Sequence, residues 1–186
     1  MGGSLKFSEI LSATESYPVY RSIKNFIETG TYKGETAIMA SYNYKTVYTI
    51  EISEERYQES KDTARLNNIS NVIFYLGDST YLLKEIIPLV LEGSIFFLDA
   101  HISGIDTKWN QQQRVPLLEE LNIILSYKIG PSVFILDDVR FWKGNNNQVW
   151  DWEHIDYDTI INLFLKHGYK IVSCFEQNDR FYVLTG

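Results

Sequence analysis

Apolar and polar positions along the 186-residue chain fall into two alternating kinds of segment. Short runs of β-branched and aromatic residues recur at 25–28, 46–52, 72–76, 94–98 and 132–136, and read as strands buried in a sheet. Between them lie segments with helical spacing, at 34–44, 54–67, 80–91 and 116–127. In the last, Leu117, Leu118, Leu121 and Ile124 form one apolar stripe, and Pro116 suits the first turn, where a missing N–H costs little. Ser53 is placed to cap the segment 54–67, with Glu54 and Glu55 in its first turn. Strands alternating with helices over short connections predict a parallel sheet covered on both faces.

The end of the chain departs from this pattern. After a helix at 157–166, closed by His167 and Gly168, two strand-like runs follow at 170–175 and 180–184, separated only by Glu176, Gln177, Asn178 and Asp179. That linker is too short for a parallel crossover, so the last two strands pair antiparallel. The expected fold class is α/β: a doubly wound, seven-stranded, mostly parallel Rossmann-like sheet with an antiparallel C-terminal hairpin strand. Without repeats, low-complexity tracts or a linker, 1–186 reads as one domain.

Composition narrows the class. With 45% hydrophobic and 22% charged residues, the chain can bury a proper core. The longest apolar runs, IIPLV and SIFFL, are far shorter than the roughly 20 residues that cross a bilayer. The start, MGGSLKFSEI, lacks the apolar run of a secretory signal, and Lys6 stands where a myristoylation motif wants Ser or Thr. No membrane association and a cytoplasmic location are therefore expected. Cys174, the only cysteine, lies in YKIVSCF and reads as a core residue. A net charge of -7 without a basic block argues against a nucleic-acid partner and for a small or neutral substrate. Homo-oligomerisation is left open.

The strongest local signal is FIETGTYKGET, in which a strand ending at Glu28 runs through Thr29, Gly30, Thr31 and Gly34 into a helix. Glycines at such a turn permit positive φ and close backbone approach, and the helix start offers free N–H groups. The dinucleotide fingerprint G-x-G-x-x-G is not met, because Tyr32 replaces its second glycine, which weakens a nicotinamide-dependent oxidoreductase reading. Glu51 ends the second strand, where a carboxylate can accept from both hydroxyls of a ribose. Asp78 and Ser79 follow the third strand, beside the place for an adenine ring, although Asp78 can equally cap the next helix.

Glu28, Gly30, Gly34, Glu51 and Asp78 thus form an ordered series at successive strand ends. From Phe26 onward this order resembles the class I S-adenosylmethionine-dependent methyltransferases, which implies that cofactor, with Glu28 toward its ammonium or sulfonium side.

The fourth strand ends in FFLDAHISG, giving Asp99 and His101, and the fifth in VFILDDVRFW, giving Asp137 and Asp138. Carboxylates gathered at one edge repel unless a cation intervenes, and an all-oxygen set suits Mg²⁺, with Ca²⁺ and Mn²⁺ as alternatives. The arrangement is similar to metal-dependent O-methyltransferases, of the catechol type and, closer in DAHISG and PLLEEL, the macrocin type that methylates sugar hydroxyls. By that resemblance Asp99, Asp137 and Asp138 become metal ligands; the catechol type has Asn where this chain has Asp138. The metal would stabilise the alkoxide developing on the acceptor, while Asp99 and His101 carry the catalytic chemistry, His101 as the base. The expected partner is a small hydroxylated acceptor, a carbohydrate first and a phenol second. A non-catalytic binding module with the same fold is the remaining rival. Phe141, Trp142, Trp150 and Trp152, and the segment 104–114 with Lys108, Trp109 and Arg114, are candidates to contact the acceptor.

Overall fold

The computed structural model describes residues 4–101, 115–142, 152 and 154–186. Seven strands form one sheet: β1 (Asn25–Thr29), β2 (Thr46–Glu51), β3 (Val72–Leu76), β4 (Ser94–Leu98), β5 (Ser132–Leu136), β6 (Ile171–Gln177) and β7 (Arg180–Thr185). Their spatial order is β3-β2-β1-β4-β5-β7-β6, with β7 antiparallel to both neighbours and every other pairing parallel. The hairpin between β6 and β7 turns on Asn178 and Asp179, whose φ of 53° and 64° are the two left-handed values that a two-residue primed turn requires. Both the fold class and the reversed final strand were legible in the sequence.

Side chains alternate between the two faces of the sheet, as the pleat demands. Ile27, Ile50, Phe96, Leu98, Phe134 and Leu136 point to one core with α4 (Ser79–Ile86), α5 (Leu117–Leu125) and α7 (Tyr157–Lys166). Phe26, Val47, Ile95, Phe97, Val133 and Ile135 point to the other, covered by α1 (Phe7–Thr14) and α2 (Glu35–Ser41). Among the described residues, no helix is long and apolar enough to cross a membrane.

Several local expectations need correction. α1 and a following 3-10 turn at Pro18–Ser22 were not foreseen; they are tied down by Leu5, Ile10, Ala13 and Tyr20 in the second core, and the Tyr20 hydroxyl donates to the Thr185 carbonyl at 3.0 Å. The expected helix 80–91 ends at Ile86 and tightens into a 3-10 turn, Ile87–Leu89, where Pro88 has no N–H to continue the α ladder. Ser53 does occupy the cap position of α3 (Glu54–Leu66), but its hydroxyl makes no cap bond; its backbone N–H donates instead to Glu51 Oε1 at 2.8 Å. Cys174 is exposed, because β6 is an edge strand with alternate positions turned to solvent.

Candidate functional site

Parallel pairing brings the C-terminal ends of β1 to β5 to one edge, the edge at which open α/β sheets take ligands. β1 and β4 are neighbours there, and the Asp99 N–H donates to the Thr29 carbonyl at 3.1 Å. The glycine turn therefore lies directly beside the aspartate of β4. Gly30 takes φ +82°, and a Cβ on it would sit 2.6 Å from the Asp99 carbonyl oxygen, so any other residue would push the two strand ends apart. Gly34, at φ +80°, precedes the first residue of α2.

The carboxylates of this half are engaged by protein groups. Glu51 accepts from the Tyr32 N–H through Oε2 and the Ser53 N–H through Oε1, both at 2.8 Å, and so pins the glycine turn to the end of β2. Its pKa is raised because burial outweighs these backbone bonds. Glu28 is 1% exposed and accepts from the Thr49 hydroxyl at 2.6 Å, which in turn bonds to the Thr31 hydroxyl at 2.5 Å. Burial pushes the Glu28 carboxyl up to about 8, the Thr49 bond lowers it, and the charges of Asp99 and Glu51 raise it again. Asp78 caps α4, accepting from the Thr80 N–H at 2.9 Å and the Thr80 hydroxyl at 2.7 Å. Ser79 is buried beside it.

In the other half, Asp99, His101 and Asp138 converge, with one donor atom from each within 4.8 Å of the others. His101 Nε2 lies 2.8 Å from Asp138 Oδ2, and its Nδ1 lies 3.5 Å from Asp99 Oδ1. Burial alone would lower the His101 pKa, but hydrogen bonds to Asp138 and Asp99 and their charges push it up to about 10. The imidazole is thus a cation held between two carboxylates. Asp138 itself is driven below the ordinary range: its burial is outweighed by His101 and by Arg140, which also ion-pairs with Asp179. Asp138 has φ 64°, a left-handed value that Asp tolerates better than most residues.

Asp137 does not join that trio. Its Oδ1 lies 3.2 Å from Arg180 Nε, and Arg180 also reaches Glu9 Oε1 at 3.1 Å, so Asp137 belongs to a buried acid–arginine–acid chain running to α1. Burial pushes the Asp137 pKa up to about 7, helped by the charge of Asp99 and opposed by Arg180.

Two aromatic rings wall the site: Trp152 stands edge-on to His101 at 5.6 Å and is tilted against Phe141 at 5.4 Å. Trp142 instead packs on Tyr157 and Phe181 in the core. Trp150 and the segment with Lys108, Trp109 and Arg114 lie outside the described residues.

Sequence reasoning missed Glu120. It is fully buried in α5, its Oε2 accepts from the Thr29 hydroxyl at 3.2 Å, and its Oε1 has no hydrogen-bond partner. With Leu98, Asp99, His101, Val115 and Trp152 it lines a cavity at the ends of β4 and β5. Burial pushes its carboxyl up to about 8 against the hydroxyls of Ser79 and Thr29, and the charges of Asp78 and Asp99 add to the rise. A signal was present: Glu120 sits at helical spacing within the apolar stripe of Leu117, Leu121 and Ile124, the place for a core residue.

Solved structures share this fold. A proposed O-methyltransferase from Klebsiella pneumoniae superposes with a TM-score of 0.62 at 15% identity, covering 100% of this chain and 82% of that one. An S-adenosylmethionine-dependent methyltransferase from Clostridium acetobutylicum gives 0.61 at 10% identity, covering 97% and 92%. The fold is that of class I methyltransferases. A third protein with this methyltransferase fold, from Streptococcus mutans and solved in complex with SAH, gives 0.54 at 17% identity over 93% and 96%. No family model matches the chain. Two curated proteins, from Clostridium tetani and Enterococcus faecalis, each named as an uncharacterized RNA methyltransferase, are 30% identical over 73 residues. That stretch is 39% of this chain and only 16% of either relative.

Proposed function

We propose that the chain is an S-adenosylmethionine-dependent methyltransferase acting on a hydroxyl of a small acceptor, a carbohydrate before a phenol, with help from a divalent cation. The observation that carries this reading is the contact between the Gly30 turn and the Asp99 strand end, which sets a cofactor cradle against a cluster of two carboxylates and an imidazole. The donor chemistry suits the cofactor: the edge is rich in buried carboxyls, one of them with an unpartnered oxygen, and the ligand is a sulfonium cation. When bound, S-adenosylmethionine supplies an electrophilic methyl group. The chain's part is to hold it over Gly30 to Gly34, to fix the turn through Glu51, and to present the acceptor oxygen in line, which converts an encounter into an intramolecular geometry.

Asp99, His101 and Asp138 are the residues that would hold the cation, which there would act as a Lewis acid on the acceptor oxygen. An imidazole in the set shifts the preference from Mg²⁺, which wants oxygen alone, toward Mn²⁺, Fe²⁺ or Zn²⁺. Asp137, paired with Arg180, lines the same cavity but gives no donor atom to the trio. His101 holds its proton at neutral pH between two carboxylates, which rules out proton abstraction in this state, and a cation entering the trio would have to displace that proton.

A second reading, methylation of RNA, is favoured by the names of the two partial relatives. The net charge of -7 and the carboxyl-rich edge oppose the approach of a phosphate backbone.

Calorimetric titration of S-adenosylmethionine, S-adenosylhomocysteine and NAD, with Mg²⁺, with Mn²⁺ and with EDTA, tests the proposal. Saturable binding of the first two but not NAD is expected, followed by methyl transfer to a sugar panel and not to an RNA oligonucleotide. Binding of NAD instead, or of none of the three, overturns it.

A further inference from the structure

We infer that Glu120 is the counter-charge for the sulfonium of the bound cofactor, and that it makes this site select the cationic methyl donor over its neutral demethylated product. The inference rests on the methyltransferase reading above and assigns a residue that the strand-end motifs do not contain.

The geometry comes first. Thr29 lies on the α4/α5 face of β1, one residue from the glycine turn, and its hydroxyl fixes Glu120 Oε2 at 3.2 Å. Thr29 thereby anchors one oxygen under the cofactor turn, the nearby Ser79 hydroxyl also favours the ionised carboxyl, and Oε1 meets the hydrogen-bond geometry of neither. The same side chain lines the cavity shared with Asp99, His101 and Trp152, the acceptor side of the edge. Methyl transfer requires the sulfur to stand between the cofactor turn and the acceptor oxygen, and Glu120 bridges those two places.

Charge points the same way. The other acids beside this cavity have described cationic partners: Asp138 has His101 and Arg140, Asp99 has His101, and Asp137 has Arg180. Glu120 pairs with none of the described cations. A fully buried carboxyl with an unsatisfied oxygen is costly in a folded protein and calls for an explanation. A ligand cation supplies one: it would favour the ionised form and take up the vacant oxygen. Glu28 cannot serve in its place, because it points to the opposite face of β1 and is held by Thr49.

S-adenosylhomocysteine keeps the ammonium, carboxylate, ribose and adenine of the donor and lacks only the methyl group and the sulfonium charge, so the ratio of the two affinities isolates the term assigned to Glu120. Calorimetry on the intact chain with each ligand is compared for the wild type and Glu120→Gln, which keeps the shape of the side chain. The variant should lose about tenfold in affinity for S-adenosylmethionine, the worth of one charge-assisted contact, and less than twofold for S-adenosylhomocysteine. Glu120→Asp, which keeps the acid but draws it back by one methylene, should give an intermediate ratio and carries the test should the amide variant not fold. Equal losses for both ligands, or an unchanged ratio in either variant, overturn the assignment while leaving the methyltransferase reading intact. Failure of the wild type to bind either ligand overturns both.

Discussion

Glu28→Gln should change how the stability of the cofactor-free protein depends on pH. The carboxyl is 1% exposed, its one described hydrogen bond comes from Thr49 at 2.6 Å, and the negative charges of Asp99 and Glu51 lie nearby, so burial takes it from an ordinary 4.5 to about 8. In the unfolded chain the proton is lost near 4.5. Between these values the folded state holds a proton that the unfolded state has released. The stability it contributes is fully present below about pH 4.5 and lost as pH rises through about 8. At about 1.4 kcal/mol per unit, the loss between about pH 5 and about pH 8.5 is on the order of 4 kcal/mol. Gln is nearly isosteric, can still accept from Thr49, and carries no proton to lose. Urea denaturation at both pH values therefore measures the effect directly: the wild type should weaken by several kcal/mol more than the variant over that range. Parallel pH profiles for the two proteins would refute the reasoning, because they would mean that Glu28 is ionised in the folded state without cost.

Other consequences are equally direct. Gly30→Ala places a methyl group 2.6 Å from the Asp99 carbonyl at a φ that L residues resist, so it should cost at least about 2 kcal/mol in denaturant titration and abolish S-adenosylhomocysteine binding. Arg180→Met leaves Glu9 and Asp137 buried without their shared cation and should destabilise by about 3 to 5 kcal/mol at neutral pH. That loss should shrink when the melt is repeated near pH 5, as the two carboxyls take up protons; a pH-independent loss would mean that Arg180 acts by packing alone.

The site was partly legible because its first half is written locally. A strand running into Gly30 and Gly34, and acids at the ends of runs such as VYTIE and FFLD, occupy fixed places once a parallel sheet is inferred. The partners were not legible, since they come from distant parts of the chain. Asp137 and Asp138 are adjacent in sequence and look alike, yet Asp138 turns to His101 and Arg140 while Asp137 turns to Arg180 on β7 and through it to Glu9 on α1. The left-handed backbone at Asp138 and the pleat send the two carboxyls apart, and a one-dimensional reading treats them as a pair.

Periodicity by itself determined the strands, the helices between them, the reversed last strand and the edge at which acids and glycines gather, because each depends on repeat lengths of two or 3.6 residues and on connection length. Tertiary structure alone decided the charge state and use of each acid. Whether a carboxyl is neutral, paired or waiting for a cation depends on desolvation and on neighbours within a few ångströms, and those neighbours lie as far away in sequence as Glu9 from Arg180 and Thr29 from Glu120.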